Sequence, residues 1–198
     1  MSVRTARLLL ALGAFVAGMV LFSAVVFIVT GRSPAPIAMS SAVGGPFKLV
    51  DQNSQPITEQ DLIGHPYLVF FGFTHCPDVC PTTLFEVSEI LRKLGPDAKN
   101  VRALFITVDP ERDTPAVLKD YMSSFDPRVI GATGDSAAIM SVEKTFRVYA
   151  KKIPLDGGGY TMDHTAIVYL MDKAGRFVAP FNMKRRPEEA AADLKRYL

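Results

Sequence analysis

Cys76 and Cys80 are the only cysteines in the 198-residue chain, and three residues separate them within the stretch FGFTHCPDVCP at positions 71–81. Two thiols this close can ligate a soft metal ion such as Cu(I) or zinc, act as a redox dithiol, or form a structural disulfide. A disulfide closing so short a loop would remove little chain entropy and would stabilise the protein only slightly. Two cysteines also cannot supply the four thiolates of a usual iron–sulfur cluster. The spacing therefore favours a metal site or a redox dithiol.

The segments on either side of the cysteines predict a reactive position. The run YLVFFGF at residues 67–73 is apolar throughout, which is typical of a strand buried on both faces. Pro81 suits the first position of a helix, whose apolar residues repeat at helical spacing until Gly95 ends it. Sites in α/β sheets lie at the carboxyl ends of strands, and a helix N-terminus lowers the pKa of a nearby thiol. We therefore expect a reactive thiolate that is ready to bind a metal ion.

A metal site needs a third ligand, and the chain contains three histidines. His65 lies in a turn before the apolar run and is expected to be solvated. His75 adjoins a cysteine, and its side chain is expected to point away and to pack or cap. His164 comes directly before the apolar stretch TAIVYLMD at residues 165–172, so we predict it at the start of a buried strand facing the cysteine loop. His164 is thus the predicted third ligand, and Asp163 is a candidate to support its imidazole.

The rest of the chain predicts strands alternating with helices. We expect hairpins at residues 47–58 and 165–181, a short helix capped by Thr58 and Asp61 and ended by Gly64, strands at 101–108 and 129–133, and helices at 114–125, 135–149 and 187–198. This order predicts an α/β domain with a thioredoxin-like fold over residues 47–198.

Residues 8–30 carry no charge and are rich in Leu, Val, Phe and Ala. As a helix they would span about 35 Å, which is enough to cross the hydrocarbon core of a bilayer. A cleaved signal peptide is the alternative, although its apolar region is usually only about 7–15 residues long. We therefore predict an N-terminal transmembrane helix that follows a short tail at residues 1–7. A flexible linker rich in Gly, Ser and Pro would follow at residues 31–46.

Charge sets the expected orientation and excludes one class of partner. Arg4 and Arg7 precede the predicted anchor, so the positive-inside rule places the tail in the cytoplasm and the domain outside it. A bacterial inner membrane with the domain in the periplasm fits this pattern. Three of the 22 basic residues lie before residue 47, which leaves 19 basic against 20 acidic residues in the domain. A nearly neutral domain without a basic stripe is not typical of a nucleic-acid-binding protein.

Three motifs together resemble the Sco/SenC family of copper metallochaperones. They are FGFTHCPDVCP at residues 71–81, VDPERDTP at 108–115 and DHTAIVYLMD at 163–172. A Cys-x3-Cys motif alone is weak evidence, but these three in this order and spacing are specific. The likeness covers roughly residues 46–198, and an N-terminal anchor also fits the family.

The resemblance implies a thioredoxin fold in which Cys76, Cys80 and His164 bind one copper ion, as Cu(I) or Cu(II). It implies a role in assembling the binuclear copper centre of cytochrome c oxidase subunit II, with the dithiol as a reductant of the target's cysteines. Other periplasmic copper chaperones and thioredoxin-like reductants are further candidate partners. Asp78 matches an acidic residue of the family motif and, with Asp163, is expected to tune the bound metal.

Two residues of the second motif and the type of chemistry stay open at this point. Arg112 and Asp113 could serve in docking, or could cap the helix that starts at Thr114. A thiol–disulfide oxidoreductase acting on subunit II or another extracytoplasmic target would need Cys76 and Cys80 but not a histidine, and it is the one enzymatic activity that the dithiol suggests. A thioredoxin-fold peroxidase has no support beyond the fold, and a zinc enzyme would require a general base near the site.

Overall fold

The computed structural model of the chain describes residues 13–25 and 43–198. The chain divides into two compact units, Met1–Met39 and Ser40–Leu198. In the first unit, residues 13–25 form a helix, α1. Within the described residues, no helix combines the length and the apolar character that crossing a membrane requires.

Most of the predicted N-terminal organisation concerns residues that the structure does not describe. The tail at residues 1–7 lies outside the described part, as do residues 8–12 and 26–30 of the predicted anchor. Residues 31–42 of the predicted linker also lie outside it. The anchor, its orientation and the linker therefore stay predictions.

The second unit is an α/β domain built on a seven-stranded mixed sheet, with a separate two-stranded hairpin. The strands are β1 Lys48–Asp51, β2 Pro56–Thr58, β3 Tyr67–Gly72, β4 Arg102–Thr107, β5 Val129–Thr133, β6 Ala150–Pro154, β7 Tyr160–His164, β8 Val168–Met171 and β9 Phe177–Pro180, and the helices are α2 Val79–Leu94, α3 Pro115–Met122, α4 Ser136–Phe146 and α5 Pro187–Lys195. The sheet order is β2-β1-β5-β4-β3-β8-β9, and β3, β4 and β5 run parallel. The predicted thioredoxin-like α/β domain is confirmed.

Strand β3 is an interior strand of the sheet, where it pairs with β4 and β8, and all six of its residues are buried. Its apolar sequence is therefore the consequence of burial on both faces. In the parallel register, Gly72 at the end of β3 lies opposite Thr107 at the end of β4. The loops that follow these two strands consequently leave the sheet side by side, at the edge where α/β proteins place their sites.

Local signals determine most helix ends. The Thr58 backbone N–H donates to the Asp61 carboxylate at 2.8 Å, which confirms the predicted cap of the short 3₁₀ helix Glu59–Asp61. Gly95 ends α2 with a φ of 59°, as its sequence position predicted. Helix α2 begins at Val79, however, so Pro81 lies in the first turn rather than at the first helical position. The missing N–H of proline costs nothing there, because no first-turn N–H has a helical partner.

The segment that carries His164 differs from the prediction. The helix expected to run to Tyr149 ends at Phe146, because Arg147 adopts a left-handed conformation. Strands β6 and β7 then form a hairpin that pairs with no strand of the main sheet. His164 is the last residue of β7, and the next strand, β8, begins only at Val168. The prediction that His164 opens the buried strand is therefore wrong, although the strand itself and its hairpin with β9 are confirmed.

Candidate metal centre

The two cysteines lie at the junction of β3 and α2. Cys76 is half-buried in the connecting loop, and Cys80 is the second residue of α2 with no exposed surface. The Cys80 backbone N–H donates to Cys76 Sγ at 3.4 Å. This N–H belongs to the first helical turn and has no helical acceptor, so the helix terminus orients the Cys76 sulfur.

Gly72 allows the Cys80 sulfur to lie against the end of β3. A Cβ atom at this position would come within 2.7 Å of Cys80 Sγ and 2.7 Å of Phe105 Cε2. Both contacts are closer than carbon and sulfur atoms tolerate. Glycine is therefore required here by the close approach of the thiol and not by a turn.

Replacing Gly72 with alanine is expected to push the Cys80 sulfur away from its position. Because the added Cβ would also clash with the Phe105 ring, the free energy of unfolding should fall by about 1–3 kcal/mol, as is usual for an overpacked core. Copper affinity should fall with it. Denaturant unfolding and a Cu(I) titration would measure both, with Gly157→Ala as the matched control because nothing lies within 4 Å of its added Cβ. Unchanged stability and affinity in the Gly72 variant would contradict this account.

His164 meets the cysteines from the β6–β7 hairpin. Its Nε2 lies 3.6 Å from Cys80 Sγ, and the ligand atoms of Cys76, Cys80 and His164 all lie within 4.8 Å of one another. The imidazole is held edge-to-face against Phe73, with ring centroids 5.7 Å apart. Its Nδ1 lies 3.2 Å from the Thr165 carbonyl oxygen. Since a carbonyl only accepts, Nδ1 carries the proton and the Nε2 lone pair faces the thiols.

Burial controls the ionisation of two of these groups. It raises the pKa of the Cys80 thiol, and the neighbouring Cys76 adds to this effect, while a hydrogen bond from the Phe73 backbone opposes it. Burial also lowers the pKa of His164, against the opposing effects of the Thr165 backbone and the Asp163 carboxylate. Burial of Cys80 therefore works against the activation that its place near a helix N-terminus predicted. At neutral pH the thiol is protonated and the imidazole is neutral.

The other predicted residues lie around this group rather than in it. Asp78 is exposed at the N-cap of α2 and makes no side-chain capping bond. Asp163 is exposed on β7 and acts on the imidazole through its charge, while the ring donates its hydrogen bond to the Thr165 carbonyl oxygen. His65 Nδ1 lies 3.2 Å from the Asn100 carbonyl oxygen. His75 is exposed, with Nδ1 3.1 Å from the Thr74 hydroxyl.

Asp113 lies next to the cysteine loop as a buried carboxylate. From the sequence, it was expected to serve in docking or to cap a helix. Asp113 has no exposed surface and accepts hydrogen bonds from the Thr74 backbone N–H at 3.0 Å, the Thr74 hydroxyl at 2.6 Å and the Thr107 hydroxyl at 2.6 Å. Thr114, not Asp113, caps α3 through the Val117 N–H. Both readings of Asp113 are therefore wrong.

A second buried carboxylate, Asp109, connects the same loop to the histidine hairpin. It pairs with the Arg112 guanidinium and accepts a 2.8 Å hydrogen bond from the Tyr160 hydroxyl at the start of β7. The guanidinium also lies over the Tyr160 ring, 3.9 Å from its centroid. Their position directly after a buried strand next to β3 was visible in the sequence, but their burial was not.

The donor set decides which chemistry the group can perform. Two sulfurs and one imidazole nitrogen suit Cu(I) or zinc better than magnesium or calcium, which prefer oxygen. The group contains no carboxylate that would act as the general base of a zinc hydrolase. Only Cys80 is fully buried, and the partly exposed Cys76 and His164 leave an open side through which an incoming ligand can reach a bound ion.

Comparison with known proteins agrees with this chemistry. The family model described as SCO1/SenC matches residues 36–198. A SCO2-like protein of Rickettsia prowazekii is 42% identical over 141 residues, which cover 70% of this chain and 69% of that protein. The structure of Bradyrhizobium japonicum ScoI, solved with copper bound, is 65% identical with a TM-score of 0.77 and covers 79% of this chain and 100% of that one.

A more distant structure supports the fold alone. BsSco, described as a member of the Sco family of cytochrome c oxidase assembly proteins, is 24% identical with a TM-score of 0.63. It covers 79% of this chain and 93% of its own. The two proteins therefore share the overall fold at low sequence identity.

Proposed function

The chain belongs to the SCO1/SenC family, and from that membership and its thiol–imidazole centre we propose that it is a copper chaperone. It binds one copper ion, as Cu(I) or Cu(II), and assists assembly of the binuclear copper centre of cytochrome c oxidase subunit II. The observation that carries the proposal is the convergence of the Cys76, Cys80 and His164 ligand atoms within 4.8 Å of one another. Membership of the SCO1/SenC family supports the target, because the resemblance to its copper metallochaperones implies a role in assembling this oxidase.

Each ligand has a distinct role in holding and releasing the copper ion. Cys80 is fully buried and supplies the innermost donor, while its proton leaves as the ion binds. His164 presents the Nε2 lone pair of a neutral imidazole. Cys76 is the more exposed thiolate, so an incoming thiolate from the target exchanges there first. Transfer then proceeds by stepwise ligand exchange, without a change in the copper oxidation state.

The proposed setting is the bacterial inner membrane. Residues 8–30 would anchor the chain as a single span, with residues 47–198 in the periplasm. Relatives in Rickettsia and Bradyrhizobium support a bacterial protein. Other periplasmic copper chaperones would load the site, and thioredoxin-like reductants would keep its cysteines reduced.

Thiol–disulfide exchange with subunit II or another extracytoplasmic target is the second candidate function. Cys76 and Cys80 are both free, and their sulfurs lie within 4.8 Å of each other. The half-exposed Cys76 would attack the target disulfide, and Cys80 would resolve the mixed disulfide and leave the target reduced and the pair oxidised. This activity needs no imidazole, so the role of His164 separates the two functions.

The deciding experiment is an anaerobic Cu(I) titration of the reduced full chain in mild detergent against a competing chelator. Wild type is expected to bind one equivalent tightly. His164→Ala should weaken binding by about 10- to 100-fold, because a soft dithiol retains part of the affinity. His65→Ala is the matched control and should bind like wild type, because His65 lies outside the ligand group. Equal affinity of wild type and His164→Ala would favour the oxidoreductase.

A further inference from the structure

The two halves of the metal centre come from separate parts of the domain. Cys80 and His164 are 84 residues apart in the chain. The cysteines follow a central strand of the main sheet, whereas His164 ends a hairpin that shares no strand pairing with that sheet. Backbone hydrogen bonds of the sheet therefore cannot fix the distance between the imidazole and the thiols. Other contacts must do so.

The loop Asp109–Asp113, which we name the brace loop, contacts both halves. On the thiol side, Asp113 holds the backbone and the hydroxyl of Thr74, two residues before Cys76. Its third bond, from Thr107, ties the loop to the end of β4. The Thr107 hydroxyl is itself oriented, because its oxygen accepts the Asp109 N–H at 2.9 Å.

On the imidazole side, the brace loop holds the first residue of β7. The Tyr160 hydroxyl donates to Asp109, and Arg112 Nη1 donates to the Tyr160 carbonyl oxygen at 3.1 Å. Arg112 is itself paired with Asp109 and lies 5.9 Å from the centroid of the Phe73 ring, which packs against His164. Tyr160 thus attaches the hairpin to the brace loop through its backbone carbonyl, its hydroxyl and its ring.

Asp109 and Asp113 both have no exposed surface. A buried carboxylate is costly to the fold unless it is fully hydrogen-bonded, and here each carboxylate serves a different half of the site. We propose that the brace loop positions the metal ligands, with Asp113 setting the thiol half through Thr74 and Asp109 with Arg112 setting the imidazole half through Tyr160. The inference rests on the proposed copper-binding function and assigns these residues a positioning role.

The two arms of the brace loop can be tested separately by removing single hydroxyl groups. Thr74→Val removes one bond to Asp113 and keeps the backbone bond, while Tyr160→Phe removes the bond to Asp109 and keeps the ring under Arg112. Each variant is made in the wild-type and the His164→Ala backgrounds of the full chain, and Cu(I) affinity is measured by chelator competition. Tyr169→Phe is the control, because its buried ring packs against Phe71 and Phe146 outside this network.

Each hydroxyl is expected to contribute about tenfold in affinity, the lower end of the effect of residues that support a metal ligand. Tyr160→Phe should lose this factor in wild type and less than about twofold in His164→Ala, because its effect passes through the imidazole. Thr74→Val should lose about tenfold in both backgrounds. In the Cu(II) form, Thr74→Val should shift the thiolate-to-copper absorption band, while Tyr160→Phe should alter the nitrogen hyperfine coupling.

Denaturant unfolding of the metal-free variants separates positioning from general destabilisation. The inference would be overturned if Tyr160→Phe lost the same factor of Cu(I) affinity in both backgrounds, or if neither variant lost affinity. In either case, tight binding by the wild type would leave the proposed chaperone function standing. Absence of copper binding by the wild type would overturn the proposed function and the inference together. A loss in Tyr169→Phe as large as in Tyr160→Phe would likewise overturn the specific role of the brace loop.

Discussion

Replacement of Cys80 with serine is expected to lower the Cu(I) affinity of the chain by roughly 100- to 1000-fold. Four-ligand zinc sites bind their ion with about 10–16 kcal/mol, so one ligand contributes roughly 3 kcal/mol. Loss of the Cys80 thiolate should lower the affinity more than loss of the His164 imidazole, because Cu(I) prefers a soft thiolate. The hydroxyl that replaces the thiol in Cys80→Ser is a much poorer ligand for Cu(I). Its sulfur also contacts His164 Nε2 at 3.6 Å, so its loss leaves a gap between the remaining ligands.

The measurement is the same anaerobic chelator competition, accompanied by denaturant unfolding of the metal-free protein. A buried hydroxyl lowers stability by itself, so Ala98→Ser is the matched control. Ala98 is also fully buried, and it belongs to the segment that follows α2. It should lose stability but keep wild-type affinity. If Cys80→Ser bound copper within about tenfold of wild type, Cys80 would not be a ligand and the proposed centre would be wrong.

The sequence predicted those parts of the fold whose signals are local. Strand β3 was recognisable because burial on both faces leaves only apolar residues in it. The end of α2 was recognisable because glycine adopts a positive φ without steric cost, as Gly95 does at 59°. The family resemblance is confirmed by the match to residues 36–198.

The β6–β7 hairpin could not be predicted from residue types. Lys151 and Lys152 are both exposed, so β6 lacks the alternation of buried and exposed residues that marks a strand. His164 was placed on the correct side of the sheet because the order of strands limits which loops can meet. Its position at the end of β7, however, follows from pairing with Ala150, which is a tertiary contact.

The buried polar network and the ionisation of Cys80 were also beyond the sequence. Charged residues in a loop are usually solvated, so nothing in DPERDTP distinguishes the fully buried Asp109 and Asp113 from exposed Glu111. The helix dipole effect on Cys80 was visible from its position near a helix start. The opposing desolvation arises from the complete burial of Cys80, whose sulfur lies against Gly72, and only the three-dimensional structure reveals it.

The apparent Cu(I) affinity is expected to rise by at least about 100-fold between pH 6 and pH 8, because the Cys80 thiol is desolvated. Burial raises the pKa of this thiol, so the metal-free protein keeps its proton throughout the window. A thiol must lose that proton to ligate copper. Each released proton makes the apparent affinity rise tenfold per pH unit, because a higher pH favours the state that has released it.

His164 should not oppose or add to this slope over most of the window. Burial lowers its pKa from the ordinary value, so the imidazole is protonated only in more acidic solution and is already neutral when copper binds. Chelator competition at several pH values, corrected for protonation of the chelator, would measure the slope. Calorimetry in buffers of different ionisation enthalpy should independently find at least one proton released per copper ion at pH 7. The Cys80→Ser variant should release one proton fewer per copper ion than the wild type. A flat pH profile in wild type would mean that copper does not bind the Cys80 thiolate, whatever its affinity for the chain.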